Sequence, residues 1–487
     1  MTTTTTTTMT GKPLKTLYLC YFGLREPLVQ TQVLPYLREL RRGGVEVHLL
    51  TFEPNRRAAW SAEDERGWRE RLAGDGIAWH ALAYHKSPSA LVTPYDILHG
   101  AWTAARLARR HSIDVLHARG HLPMAMALLA RRGCDARLLF DIRGLLAEEY
   151  EEAGVWTKES PQYRAIQAVE RAGLRRASQL IVLTRRLRDL LVARGLARSE
   201  QIEVVPCCVD FARFGATPNN GDAAGAVDEN NARASVETDA ARLSIVKEGS
   251  DAGQGSDAGR ESNAGRESDG SAARGSDDEA ARGSDDEAGR FEVVTAGSVT
   301  GLYLLEEMGR FFLALKRQRP DAFLRVLTTS SAVDAAATLE GAGLSRADFF
   351  VGAVKPGEVP AYLRRARLGL SFRKATFSQI AASPTKIPEY LAAGLPAVCN
   401  AGIGDTDDIL TRERVGVIVR DFDAGTLDEA ARAALALADE PEARARAVET
   451  AHRYFDLARV GGVGYRNAYR RLAAETAGGA FVIPETT

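Results

Sequence analysis

The chain has little of several things, and each shortage excludes a class of protein. Five cysteines occur in 487 residues (Cys20, Cys134, Cys207, Cys208 and Cys399), and they show no metal-type spacing. Cys207 and Cys208 are adjacent, which is poor geometry for a disulfide. A reduced, cytoplasmic protein without a metal site is expected. No apolar run approaches the roughly 20 residues that a membrane-spanning helix needs. The opening "MTTTTTTTMTGKPLK" lacks the apolar core of a secretory signal, so residues 1–13 are expected to be a disordered leader. Charge is nearly balanced, at a formal −1, which gives no sign of a nucleic-acid partner.

Aromatic residues are missing altogether between Phe214 and Phe291. Within that gap "ARGSDDEA" at 273–280 repeats at once at 281–288, and "AGRES" at 258–262 recurs at 264–268. Such a stretch buries too little apolar surface to offset an ordering cost of about 1–2 kcal/mol per residue. Residues 215–290 are therefore expected to be a disordered, low-complexity insertion in an interdomain linker. Residues 221–290 hold 17 acidic and 8 basic side chains, so the net −1 leaves +8 on the rest. A mildly basic body suits anionic ligands such as nucleotide phosphates, or a membrane surface.

What is present is alternation of strand and helix. A chain of 487 residues is too long for one core. "TLYLCYF", "VEVHLLTF", "IAWHALA", "IDVLHA", "ARLLFDI", "QLIVLT" and "IEVVP" read as buried strands with helical stretches between them. The first helix, "LVQTQVLPYLRELRRGG", should kink at Pro35. After the linker come "FEVVTAG", "AFLRVLT", "ADFFVG", "LGLSF", "LPAVC" and "VGVIV". The expectation is an α/β protein of two Rossmann-like, doubly wound parallel-sheet domains, 14–214 and 291–475, the second carrying the C-terminal helices, with a tail at 476–487. Each domain should bind ligands beyond the carboxyl ends of its strands, and the crevice between them is the expected active site.

The stretch "SPTKIPEYLAAGLPAV", 383–398, carries the most chemistry. With Thr385 as N-cap, Lys386 begins a helix and Pro388 falls in its first turn, where no hydrogen bond is lost. Gly394 ends it. The helix starts near the carboxyl end of the strand "LGLSF", where free N–H groups and the helix dipole favour a phosphate. Lys386 would add charge to a phosphate, and Glu389, one turn in, would accept ribose hydroxyls. The same pair also suits the solvated face of a surface helix, and spacing alone does not choose.

"SPTKIPEYLAAGLPAV", with "NAGIGDTDDIL" and "VGVIV", resembles the donor-site region of retaining GT-B glycosyltransferases, glycosyltransferase family 4 (group 1). "IEVVPCCVDFARF" (202–214), "QLIVLTRRLRDLL" (179–191), "GGVEVHLLT" and "AGSVTGLYLLEEM" (296–308) resemble other elements of that family, so the resemblance reaches both domains. It implies the GT-B fold, with a central crevice between an acceptor domain and a nucleotide-sugar donor domain. Glu389 matches the family's ribose-binding glutamate. A second glutamate, facing the donor sugar, is usual eight positions earlier; this chain has Ala381. The family's diphosphate-binding Arg and Lys are also missing after the first loop of the second domain. The substitutes expected are Arg373, Lys374 and Lys386, with backbone groups of Gly297, Ser298, Val299 and the Ser383–Lys386 turn, including Thr385.

In the first domain the family commonly has His-x-His. This chain has His117, Arg119 and His121, so Arg119 stands at the position of the sugar-facing histidine, and Arg119 and His121 are the candidates for its role. Asp141 and Arg143 are expected at the crevice, as are Gln30, Thr31 and Gln32 of the first helix. Asp405-Thr406-Asp407 reads as an N-cap rather than a metal motif, and Cys207 and Cys208 read as packed thiols.

The resemblance implies a hexosyl-type transferase acting in glycan, polysaccharide or glycolipid biosynthesis. Its donor would be a nucleoside-diphosphate sugar and its acceptor a glycan, a lipid-linked or a small molecule. It implies no bound cofactor and no required metal. The basic stretch "AARLARRH" (104–111) fits peripheral contact with the inner membrane face. Two other readings stand beside it: a GT-B sugar-nucleotide epimerase, and a non-catalytic nucleotide-binding or scaffold subunit.

Overall fold

The computed structural model describes residues 13–54, 60–85, 89–215 and 289–474. The leader, the linker insertion and the tail lie outside the described residues, apart from positions at their boundaries.

The apolar runs become two wholly parallel sheets. The first holds β1 (Lys15–Cys20), β2 (Glu46–Pro54), β3 (Ile77–Tyr84), β4 (Val115–Arg119), β5 (Arg137–Ile142), β6 (Gln179–Val182) and β7 (Ile202–Val204), in the order β3-β2-β1-β4-β5-β6-β7. The second holds β8 (Phe291–Ala296), β9 (Ala322–Leu327), β10 (Phe349–Gly352), β11 (Leu368–Ser371), β12 (Ala397–Asn400) and β13 (Gly416–Val419), in the order β10-β9-β8-β11-β12-β13. Helices cover both faces of each sheet, which is why the strands read as continuous apolar runs and not as alternating ones. Each sheet separates two apolar clusters, one per face. The strand order reverses between β1 and β4 in the first sheet and between β8 and β11 in the second. Ligands bind at such switch points, outside the carboxyl ends of the strands.

Local signals behave as their chemistry requires. The first long helix breaks at Val33 into Pro27–Gln32 and Leu34–Arg42, with Pro35 in the first turn of the second piece. Gly394 follows the helix Lys386–Ala392 at φ +75°, the left-handed cap that glycine adopts without strain.

The last helix, Gly462–Ala474, departs from its sequence assignment. Sequence order places it with the second domain, yet it packs on the first. Tyr465 and Tyr469 are buried in the first domain's cluster, and Arg466 Nη1 donates to Glu39 Oε2 at 3.1 Å. Gly464 permits the close approach, because a Cβ there would sit 2.6 Å from Val205. The chain thus crosses between domains twice, and the crossings bond to each other. Val209 N donates to Phe455 O at 2.8 Å, and Leu457 N to Val209 O at 3.1 Å.

Candidate active site

The second sheet's switch point brings together two loops. After β8 the chain turns at Gly297 (φ +97°), and after β11 it passes through Arg373 to the helix Lys386–Ala392. Lys386 lies between them and is buried. Its Nζ donates to Ser298 O at 2.7 Å and stands 4.3 Å from the centre of the Tyr303 ring. The Arg373 guanidinium lies 4.7 Å from the same ring, and its Nε donates to the buried Gln379 at 2.9 Å. Asn400 at the end of β12 fixes the Arg373 backbone, accepting its N–H and donating to its carbonyl, both at 2.8 Å. Lys374 is half-buried, and its backbone N–H donates to Leu302 O at 2.9 Å. Two of the three expected cations therefore converge on one aromatic ring. Tyr303 is the residue that joins them, and sequence reasoning passed over it.

Glu389 is half-buried, one turn beyond Lys386. Its Oε1 lies 3.5 Å from Arg213 Nη1, a residue of the first interdomain crossing. Burial pushes its carboxyl up, while Arg213 and Lys386 oppose that. Thr385 stands at the N-cap, but its side chain caps nothing; its backbone is already helical. Ser383 instead accepts the backbone N–H of Cys207 at 3.0 Å, across the domain boundary.

The loop between β11 and this helix fastens the domains together. Glu152 accepts the N–H of Ser378 at 2.8 Å and the hydroxyl of Thr376 at 2.6 Å, and bonds the Ser378 hydroxyl as well. Thr184 donates to Ile380 O at 2.6 Å. Ala381 is fully buried in the first domain's core cluster. A glutamate at that position would bury a carboxylate among apolar side chains.

Asp405 is a related correction. Its position predicts a cap for its own helix, Thr406–Arg412, yet it gives that helix no side-chain cap. Its carboxylate caps the first domain's helix Arg185–Ala193 instead, accepting from Arg185 N at 2.7 Å and Arg186 N at 3.2 Å. Gly404 allows this turn to press on the 382 backbone, since a Cβ would lie 2.0 Å from Ala382 O.

In the first domain the expected crevice residues divide. His117, Arg119 and Asp141 share one sheet face, covered by the helices Leu34–Arg42 and Gly462–Ala474. His117 and Asp141 are wholly buried and do not reach the crevice. Period-two alternation dictates this, because the same face carries Tyr18 and Leu139. Asp141 accepts hydrogen bonds from Tyr465 OH at 2.7 Å and Arg143 Nη1 at 3.3 Å, while Arg119 Nη1 and His117 Nε2 stand 3.5 Å and 3.7 Å away. Burial pushes its carboxyl up, but Arg143, His117 and Arg119 together hold it well below the usual range. His121 lies on the opposite face, against Phe140, with Nε2 2.9 Å from Glu170. Arg119 and His121 are thus separated by the sheet and cannot share one role. Gln30, Thr31 and Gln32 spend their side chains on Leu24 O (2.5 Å), Pro27 O (2.9 Å) and Cys208 O (3.0 Å). Cys207 and Cys208 are buried free thiols, and burial pushes Cys208 up to about 12.

Sequence reasoning also missed a cluster beyond the carboxyl ends of β1 and β3. Buried Asp96 accepts Tyr21 OH at 2.9 Å and lies 2.6 Å from His85 Nδ1. Its members are 75 and 11 residues apart, so no local motif announces it.

Residues 29–208 match the family model of the glycosyl transferase 4-like domain. No curated protein is significantly similar to the chain in sequence. Solved structures share its fold across both domains. Sucrose-phosphate synthase from Thermosynechococcus elongatus superposes with a TM-score of 0.59 at 14% identity, over 95% of this chain and 100% of that one. HepE from Anabaena, solved with UDP and glucose, gives 0.57 at 12% identity, over 96% and 100%. A putative UDP-N-acetylglucosamine 2-epimerase from Listeria monocytogenes gives 0.53 at 13%, over 96% and 97%. The chain has the GT-B fold, and its residues 29–208 match the glycosyl transferase 4-like domain. Both findings are consistent with a GT-B glycosyltransferase of the group 1 type.

Proposed function

We propose that this chain moves a hexosyl-type sugar from a nucleoside-diphosphate sugar to an acceptor hydroxyl, with retention of configuration. The observation that carries the reading is the meeting of Lys386, Glu389 and the positive-φ Gly297 loop at the second sheet's switch point. UDP bound to the similarly folded HepE supports a donor of that kind.

In this reading Glu389 exchanges Arg213 for the ribose hydroxyls. The diphosphate lies against Arg373 and Lys386, with backbone N–H groups from Ser298, Val299 and the 383–386 turn. The bond from the acceptor oxygen to the anomeric carbon forms on the face from which the diphosphate departs. The leaving phosphate oxygen takes the acceptor's proton. Positive groups already in place stabilise the charge that develops there, commonly by a few kcal/mol per donor. This displacement requires neither a protein nucleophile nor a metal. Closure of the domains limits hydrolysis of the donor.

The test is to incubate the protein with a panel of sugar nucleotides and follow nucleotide release with and without glycan, lipid-linked and small-molecule acceptors. Acceptor-dependent release, with the anomeric configuration kept, is the expected result. Glu389→Ala is expected to weaken nucleotide binding at least tenfold, about 1.4 kcal/mol. The fold shared with an epimerase favours one second reading, which predicts an isomerised donor without nucleotide release. No nucleotide binding by calorimetry would sink both.

The acceptor side of the reading is a cytoplasmic protein resting on the inner membrane face. Among the described residues no helix is long and apolar enough to cross a membrane. The helix Ser89–His111, however, exposes Tyr95, Leu98 and Trp102, 54%, 61% and 58% accessible, along one face. Arg106 lies 5.0 Å over the Trp102 ring, and Arg109 and Arg110 follow on the exposed surface. Aromatic rings beside arginines suit an anionic bilayer interface. Cosedimentation with phosphatidylglycerol vesicles is expected to fall at least about tenfold in Trp102→Glu; equal binding would remove the contact.

A further inference from the structure

We propose that His48, His80 and His111 form a binding site for a divalent transition-metal ion of the zinc type, on the side of the first domain away from the crevice. His48 lies in β2 and His80 in the neighbouring edge strand β3. His111 is the last residue of the helix Ser89–His111. One ring nitrogen from each lies within 4.8 Å of the other two.

The spacing is that of a nearly closed coordination shell. Zinc–imidazole bonds of about 2.0–2.1 Å at tetrahedral angles place ligand nitrogens about 3.3–3.4 Å apart. His48 Nδ1 and His80 Nε2 already lie 3.1 Å apart. His111 completes the set by a shift of at most about 1.5 Å, which its half-exposed side chain can make by rotation.

The surroundings orient the ligands. Glu46 Oε1 lies 3.4 Å from His48 Nε2 and accepts its proton, which leaves the Nδ1 lone pair facing His80. Glu46 is in turn held by Lys15 at 3.0 Å. A carboxylate behind a ligating imidazole fixes its tautomer and raises its basicity. Without metal, His80 Nε2–H donates to His48 Nδ1; with metal bound, that proton moves to His80 Nδ1. Burial first, and then the two neighbouring imidazoles, hold His80 at about 4, with Arg69 and Arg110 acting in the same sense. Those arginines also oppose a cation, and Glu46 is the counterweight among the groups facing the site. The half-exposed edges of His80 and His111 leave the fourth position open to water.

The site's place in the fold gives its role. His48 is the third residue of β2, and His111 lies just before β4 begins, so the cluster sits toward the amino ends of the strands. The sugar chemistry is at the carboxyl ends. A bound ion would brace the edge strand β3 to the end of a long helix and take no part in transfer.

The experiment uses the full chain, stripped with a chelator and then titrated with zinc against a chromophoric competitor; cobalt serves as a spectroscopic probe. One zinc per chain, a tetrahedral cobalt spectrum and a zinc-dependent rise in Tm are expected. His80→Ala and His111→Asn should each weaken zinc binding at least about tenfold, whereas His99→Ala should not. His111→Asn changes a half-exposed helix end, so it keeps the test open if His80→Ala fails to fold. Absence of zinc binding, or binding unchanged in both variants, overturns the proposal.

Discussion

Asp141→Asn is expected to lower the stability of the protein by about 3–5 kcal/mol, the usual cost of removing one partner from a buried ion cluster. The carboxylate is wholly buried and faces two arginines, one histidine and one tyrosine. Asparagine keeps the shape and removes the charge. Arg119 and Arg143 are then left near each other without their counter-ion, and Arg119 is 5% exposed, so water cannot replace it. Tyr465→Phe, which removes only one hydrogen bond to that carboxylate, should cost about 1.5–3 kcal/mol. Urea unfolding measures both. Hydrogen exchange in residues 462–474 should rise in each, because Tyr465 on Asp141, together with Tyr469 on His117, ties the last helix to this cluster. A loss below about 1 kcal/mol in Asp141→Asn would mean that the arginines find other partners and that Asp141 is not the hub.

The pH dependence follows from the direction of the shift. The folded-state carboxyl lies below its ordinary value, near 3.9 in an unfolded chain. Its contribution is therefore fully present above about pH 4 and disappears as the pH falls through the lower folded value. The gap between wild type and Asp141→Asn should stay constant from neutral pH down to about 5 and narrow only in stronger acid.

What the sequence reveals and hides here follows from distance along the chain. Each strand is a short apolar run, and runs are local, so both sheets can be read directly. Pro35 and Gly394 act on their own turns and do what their backbone chemistry says. Some failures are local, since Gln30 and Thr31 turn back onto Leu24 O and Pro27 O and Thr385 caps nothing, but the largest are long-range. Asp405 looks like a cap for the helix it begins, and nothing nearby tells that it caps Arg185, 220 residues earlier. Asp141 and Arg143 look like crevice residues until the last helix is laid over their face; Tyr465 is 324 positions away. His48 and His80 meet only through the register of β2 on β3, which pairs Leu50 with His80. Ala381 was legible as an absence. The structure supplies its physical counterpart, a loop whose side chain is spent on packing the two domains together.

The proposed donor site makes the sharpest demand on Lys386. A buried ammonium is costly unless it is well partnered. Here Ser298 O accepts a hydrogen bond from Nζ at 2.7 Å and the Tyr303 ring lies 4.3 Å away, a cation–π contact worth about 2 kcal/mol when desolvated. These contacts hold the charge beside the Gly297 loop whether or not a ligand is present, so little is reorganised when a phosphate arrives. Lys386→Met keeps the length and removes the charge. It is expected to weaken binding of UDP by about 10- to 100-fold, from about 1.5–3 kcal/mol for a charge-assisted bond. Binding of uridine should be unchanged, because the nucleoside carries no phosphate. Glu389→Ala gives the complementary pattern, weakening both ligands through the ribose. Calorimetry on the two variants with the two ligands forms a closed comparison. Equal losses for uridine and UDP in Lys386→Met would make the lysine a support for the loop and not a phosphate ligand. Loss of UDP alone would place the diphosphate against Lys386, beside the Tyr303 ring.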